Sequence, residues 1–195
     1  MMMGLGFFLL QAGWADDAPP QEEYGRTRLG VRFNASHNFV HGKLGDRDIF
    51  FPKNNIFFGF IGPSFHADYH ILDWLSLGAQ YRMLFDLHSI AFHELDGVVK
   101  FLLPNLDEKR GSDYYFAFPV GYSRMTDSSD TYAKALGFNV GALFGGNYFV
   151  NSYLGFTGEV GYIYRRLGFH AVKEKRDGRF NFHEIAANIG VTVRF

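Results

Sequence analysis

The chain has 195 residues, with 19 Lys and Arg against 20 Asp and Glu and a formal net charge of −1, so it lacks the basic field that a nucleic-acid partner requires. It holds no cysteine, which excludes disulfides, thiolate metal sites and a cysteine nucleophile, and no stretch of eighteen consecutive apolar residues, which excludes a membrane-spanning helix. The 23 Phe, 11 Tyr and 23 Gly set against 6 Pro describe one β-rich, aromatic-rich domain.

Residues 1–15 (MMMGLGFFLLQAGWA) have an apolar centre followed by the small residues Gly13 and Ala15, the pattern of a secretory signal peptide cleaved after Ala15. No Lys or Arg precedes Arg26, so the usual basic start is missing. Residues 16–25, including the run DDAPPQEE, form a polar lead-in with nothing to bury. Residues 26–195 then constitute the folded unit.

Within that unit apolar residues recur every second position, the period of a β-strand. Leu29, Val31, Phe33 and Ala35 oppose Arg28, Arg32, Asn34 and Ser36. Leu75, Leu77, Ala79, Tyr81, Met83 and Phe85 oppose Ser76, Gly78, Gln80 and Arg82. Phe156, Val160, Tyr162 and Tyr164 oppose Thr157, Glu159 and Arg165, and Ile185, Ala187, Ile189, Val191, Val193 and Phe195 oppose Glu184, Asn188, Gly190 and Arg194. Extending the rule predicts eight strands near 26–38, 55–69, 75–87, 95–103, 114–124, 133–145, 153–169 and 180–195. Pro63 and Pro119 fall inside two of them, where each removes a ladder hydrogen bond and is expected to bring a bulge or irregular pairing.

The polar face decides which side of the sheet is buried. It mixes Gly30, Gly78, Gly161 and Gly190 with Arg32, Arg82, Glu159, Glu184 and Arg194. Glycine covers nothing on a solvated wall, but it makes room inside a narrow barrel whose interior is only as wide as its side chains. The predicted arrangement is therefore inverted, with apolar residues facing lipid and a paired charge network in the lumen. Aromatic residues support this reading: Tyr69, Trp74, Tyr114, Tyr148, Phe149 and Tyr153 gather at one set of turns, and Phe57, Phe85, Tyr122, Tyr164 and Phe169 near the other, as two interfacial girdles would. Links 70–74 and 146–152 are short, whereas 39–54, 125–132 and 170–179 are longer and polar. The link 104–113 departs from that alternation.

An exported precursor with eight alternating strands and the terminus NIGVTVRF resembles the small bacterial outer-membrane β-barrels of the OmpX and OmpW type and the transmembrane part of OmpA. The segments DWLSLGAQYR and NSYLGFTGEVGYIY carry the same resemblance, which spans residues 26–195. It implies an all-β, eight-stranded antiparallel up-and-down transmembrane barrel, monomeric, without a cofactor. It also implies location in the outer membrane after export through the periplasm, among outer-membrane lipid and lipopolysaccharide. Ile189, Val191, Val193 and Phe195 look like the signal read by the barrel assembly machinery.

Fold does not assign activity. The favoured reading is a structural or surface-interaction protein with a side-chain-filled lumen, acting through its extracellular loops. A variant is a narrow conduit for small or hydrophobic molecules. A lipid A-modifying enzyme would need a Ser–His pair, but Ser36 and His37 are strand neighbours and face opposite ways, as do His183 and Glu184. Ser89 and His88 are the other candidates, and no His-x-Ser-Asn run of the deacylase kind is present. Finally His37, His41, His88, His93, His170 and His183 all fall toward one rim with Asp46, Asp48, Glu94, Asp96 and Glu174, offering ligands to a divalent metal, though no pair has tight motif spacing.

Overall fold

The computed structural model describes residues 26–50, 59–86, 90–103, 112–127, 134–171 and 176–195. The expected signal peptide and lead-in, together with Phe57, His88, Ser89 and Glu174, lie outside the described residues. The described chain is all β: β1 (Thr27–Leu44), β2 (Arg47–Phe50), β3 (Gly59–Leu72), β4 (Leu75–Phe85), β5 (Ile90–Leu102), β6 (Ser112–Asp127), β7 (Lys134–Phe149), β8 (Leu154–Ala171) and β9 (Arg176–Arg194). Each barrel strand pairs antiparallel with its neighbours, and β9 pairs with β1 to close the sheet. The end where β1 starts and β9 finishes is called proximal below, and the opposite end distal.

β2 is the return of a hairpin on the distal half of β1, pairing His41 with Phe50 through Leu44 with Arg47. Gly45 at its tip has φ 57°, a left-handed conformation that glycine adopts without the cost a Cβ imposes. β2 stands beyond β3 along the same edge of β1, so the closed wall has eight strands. Much of the segment expected as the link 39–54 is therefore strand. β5 and β9 likewise begin earlier than expected, at Ile90 and Arg176. Polar composition does not end a strand whose backbone groups are still paired across a hairpin.

Neither proline produces a bulge. The β3–β4 pairing skips Gly62 and Pro63 but resumes in the same register, and the β6–β7 pairing does the same around Phe118 and Pro119. Pro63 stays opposite Phe33 of β1, and Pro119 opposite Val98 of β5. A strand residue sends its N–H to one side only, so the missing donor weakens one ladder and spares the other. The register shift occurs instead between His70 and Leu72, beside the β3–β4 turn.

Strand stagger sets the shape. Partners followed around the wall run Leu29, Ala67, Ala79, Gly97, Val120, Val140, Tyr164 and His183, and the circuit closes on Phe39, further along β1. Closing with that offset requires strands tilted by roughly 40° to the barrel axis.

The two faces are inverted relative to a soluble protein. Phe33 is 51% exposed, Val120 59% and Ile189 68%, while Arg82 is 1% exposed and Glu94 and Arg165 0%. A continuous apolar wall of this extent matches hydrocarbon, not water. Tyr69, Trp74, Tyr114, Tyr148 and Tyr153 are exposed toward the proximal end, with Trp74 stacked on Phe101 and Tyr114 on Phe144. Phe85 and Tyr122 are exposed and Tyr164 half-buried toward the distal end. Phe149 and Phe169, expected in the girdles, are buried inside: each falls on the interior parity of its strand, in line with Asn147 on β7 and Arg165 on β8.

Replacing mid-wall Val120 by Arg is expected to lower stability by about 2–4 kcal/mol, read from denaturant titration of the protein folded in lipid bilayers. At a solvated surface position the change would stay within about 0.5 kcal/mol.

Candidate functional site: the filled barrel interior

Inward-facing residues stack in layers along the axis. At the proximal mouth Arg28 pairs with Asp113 at 2.7 Å, and Arg194 donates through Nε to the carbonyl of Ser152 at 2.6 Å. Both guanidinium groups lie over the ring of Phe149, at 5.3 and 4.0 Å from its centre, so the inward ring has cationic partners.

Next comes a network around Glu159. Arg32 Nη1 donates to Glu159 Oε2 at 2.8 Å, Tyr115 donates its hydroxyl to Oε1 at 2.8 Å, and Asn188 donates to Oε2 at 3.1 Å. Lys100 pairs with Asp68 and sits 4.8 Å over the Tyr115 ring. Gly30 is part of this packing, because a Cβ there would come within 2.2 Å of the His66 ring. Above it Val98, Ala117, Leu143, Ile163 and Ala186 form an apolar layer.

A second ionic network then crosses six strands. Arg82 Nη2 bonds Glu94 Oε2 at 2.8 Å and Asp96 Oδ2 at 3.0 Å, and Gln80 donates to the same Asp96 oxygen at 2.9 Å. Arg165 grips Glu94 in a two-pronged contact and extends its Nη1 to Glu184. Ser123 donates to Glu94 Oε1 at 2.7 Å and receives a hydrogen bond from Asn139 at 2.8 Å. Two guanidiniums bridge three carboxylates with hydroxyl and amide support, the pairing that lets buried ions persist, although Arg82 Nε, Asp96 Oδ1 and Asn139 Oδ1 have no hydrogen-bond partner among the described residues.

The distal layer is apolar. Phe60 meets Phe92 edge-on at 4.7 Å, Phe92 meets Phe182 at 5.2 Å, and Phe169 stacks on Phe180 at 4.4 Å. Arg165 lies 5.4 Å over the Phe92 ring, joining this layer to the ionic one.

Neither a protein-family profile nor a curated protein sequence matches the chain. Among solved structures it is similar to the outer membrane protein OprG from Pseudomonas aeruginosa, with a TM-score of 0.61 and 11% identity over 88% of this chain and 96% of that one. It is also similar to Neisserial surface protein A, with a TM-score of 0.53 and 14% identity over 86% and 97%. A third is the outer membrane protein AlkL in lipid bilayers, with a TM-score of 0.52 and 13% identity over 92% and 96%. The fold is that of the small eight-stranded outer-membrane β-barrels.

In this outer-membrane barrel fold the five charges expected in one lumen network occupy three levels. Arg32 and Glu159 bind each other, Arg82 and Glu184 belong to the second network, and Arg194 sits apart at the mouth. Their connecting members are Glu94, Asp96 and Arg165, with Asp68 and Lys100 in the lower network. Glu94 and Asp96, read from sequence as rim ligands, point into the lumen because they fall on the inward parity of β5, through 92, 94, 96, 98 and 100, and the strand's start at Ile90 brings Glu94 within it. Ile189, Val191 and Phe195 are exposed and Val193 half-exposed on the outward row of β9.

The histidines are not brought together. His37 packs edge-on against Phe39 of β1, His93 bonds the Tyr81 hydroxyl, His183 that of Tyr162, and His170 pairs with Asp177. His41 stands on β1 opposite Phe50. Among the described residues no group of three or more His, Asp or Glu side chains is placed to share a metal ion. Ser36 turns inward and donates to the Phe60 carbonyl while His37 lies on the outer wall, and Glu184 is held by Arg165 while His183 faces out.

Arg165→Met strands Glu184 and half of Glu94 inside the barrel, and is expected to cost about 3–5 kcal/mol. Adding Glu94→Gln and Glu184→Gln should restore most of that loss, both effects read from guanidinium unfolding in bilayers.

Proposed function

We propose that the chain is an integral protein of the bacterial outer membrane, exported through the periplasm, whose lumen is closed and whose role is structural or one of contact through the distal loops. One observation carries the closed-lumen reading: the Arg82–Glu94–Arg165–Glu184 network, with every member at most 1% exposed, lies across the axis. An aqueous path would have to part charges that are bonded to one another in a low-dielectric interior. The outward row Ile189, Val191, Val193 and Phe195 is then what the assembly machinery would read, and lipid and lipopolysaccharide are the surroundings of the wall.

A narrow conduit for hydrophobic molecules is the second reading, favoured by the apolar distal layer. Phe60, Phe92 and Phe180 are at most 1% exposed and are joined ring to ring through Phe182, so that layer acts as a core in the described state.

The protein is expected in the outer-membrane fraction as a compact band on an unboiled gel, and to give no steady conductance in planar bilayers. A steady large-conductance channel would overturn the closed-lumen reading.

A further inference from the structure

Two arginines interrupt the apolar outer wall at one height and on one side. The outward row of β6 runs Tyr114, Phe116, Phe118, Val120 and Tyr122, all exposed, and then reaches Arg124. Ten residues of strand tilted by roughly 40° climb about 25 Å, which is the height of a membrane barrel's apolar band. The outward row of β8 likewise passes Phe156, Val160, Tyr162 and Tyr164 before Arg166. Both arginines are exposed, and neither is ion-paired among the described residues.

Their registers bring them level. Arg124 stands opposite Leu136 of β7, which stands opposite Gly168 of β8. A row perpendicular to tilted strands rises about 6 Å across two strand spacings, and the two residues from Gly168 back to Arg166 descend about 5 Å. The two guanidiniums therefore sit at one level, with backbones about 13 Å apart around the wall. Exposed Leu136 and Phe138 lie between them, with the Phe138 ring 6.2 Å from that of Tyr164.

The charge is one-sided. Among the described residues of β6 to β9 no outward carboxylate lies at this height, since Glu159 and Glu184 point inward and Asp177, further out, is paired with His170. The proximal girdle has no outward Lys or Arg on its described strands, because Arg28 and Arg194 turn in over Phe149. An unpaired guanidinium at the edge of hydrocarbon is costly unless an anion meets it, and phosphate fits its fork. A glycerophospholipid brings one headgroup phosphate, which cannot serve both positions. A bisphosphorylated disaccharide brings two, held apart by two pyranose rings.

We propose that Arg124 and Arg166 bind the two phosphates of one lipid A headgroup in the outer leaflet, with Leu136 and Phe138 beneath the sugars. This rests on the membrane reading above.

The test measures binding of the detergent-solubilised barrel to lipid A, to monophosphoryl lipid A and to phosphatidylglycerol. Arg124→Gln and Arg166→Gln should each weaken lipid A binding roughly fivefold and the pair at least about twentyfold, with the heat-modifiable band unchanged. Monophosphoryl lipid A should lose affinity as one substitution does. Equal lipid A binding by the folded double variant overturns the proposal. So does phosphatidylglycerol binding of the same strength and arginine dependence, which would mark a general anionic belt. A wild-type protein that fails to insert into bilayers would instead bring down the membrane reading.

Discussion

The clasp of Arg165 on Glu94 and Glu184 is the constraint on which the interior depends. Eight strands enclose a space no wider than the side chains that fill it, so an ion placed there has no water to fall back on. Each charge must be met by another, and the geometry meets that demand by drawing Arg82 of β4, Ser123 of β6 and Arg165 of β8 around Glu94 of β5, with Glu184 of β9 on the far side of Arg165. The register of those strands is thereby tied to the chemistry inside: a slip of one residue would turn Glu94 toward hydrocarbon and Leu95 into the ionic layer.

Layering follows from the same economy of space. Ionic networks alternate with apolar layers, and aromatic rings join them: Phe149 beneath two arginines, Tyr115 beneath Lys100, Phe92 beneath Arg165. A ring face accepts a cation while its edge packs with aliphatic neighbours, so one side chain can belong to both kinds of layer. The outer wall follows the opposite logic. It is apolar until the distal boundary, where Arg124 and Arg166 appear in rows that have been continuously greasy up to that height.

Much of the architecture was legible in the residues. The two-residue alternation located the strands, and the mixture of glycine with both signs of charge on one parity disclosed which face is interior. The misreadings have physical causes. Polar composition reads residues 39–54 as a link, although strand pairing continues through Phe50. Starting β5 at 95 rather than 90 hid Glu94, the hub of the second network. Phe149 and Phe169 were placed by their nearness to turns, when parity alone decides whether a ring faces lipid or lumen. Pro63 and Pro119 interrupt the pairing as expected but without a bulge, because each removes a donor that would have pointed toward one neighbour only.

Alternation is a property of the chain taken two residues at a time, so the sequence by itself determined the β class, the strand count of the wall and the inversion of its faces. Which charges meet was decided only by the tertiary structure, because it depends on the stagger with which the barrel closes. That stagger carries Arg165 to Glu94, 71 residues away, and separates Arg32 from Arg82 into different networks. It also brings Arg124 and Arg166 to one height. Strand tilt and shear are set by all eight pairings together, and no local run of residues encodes them.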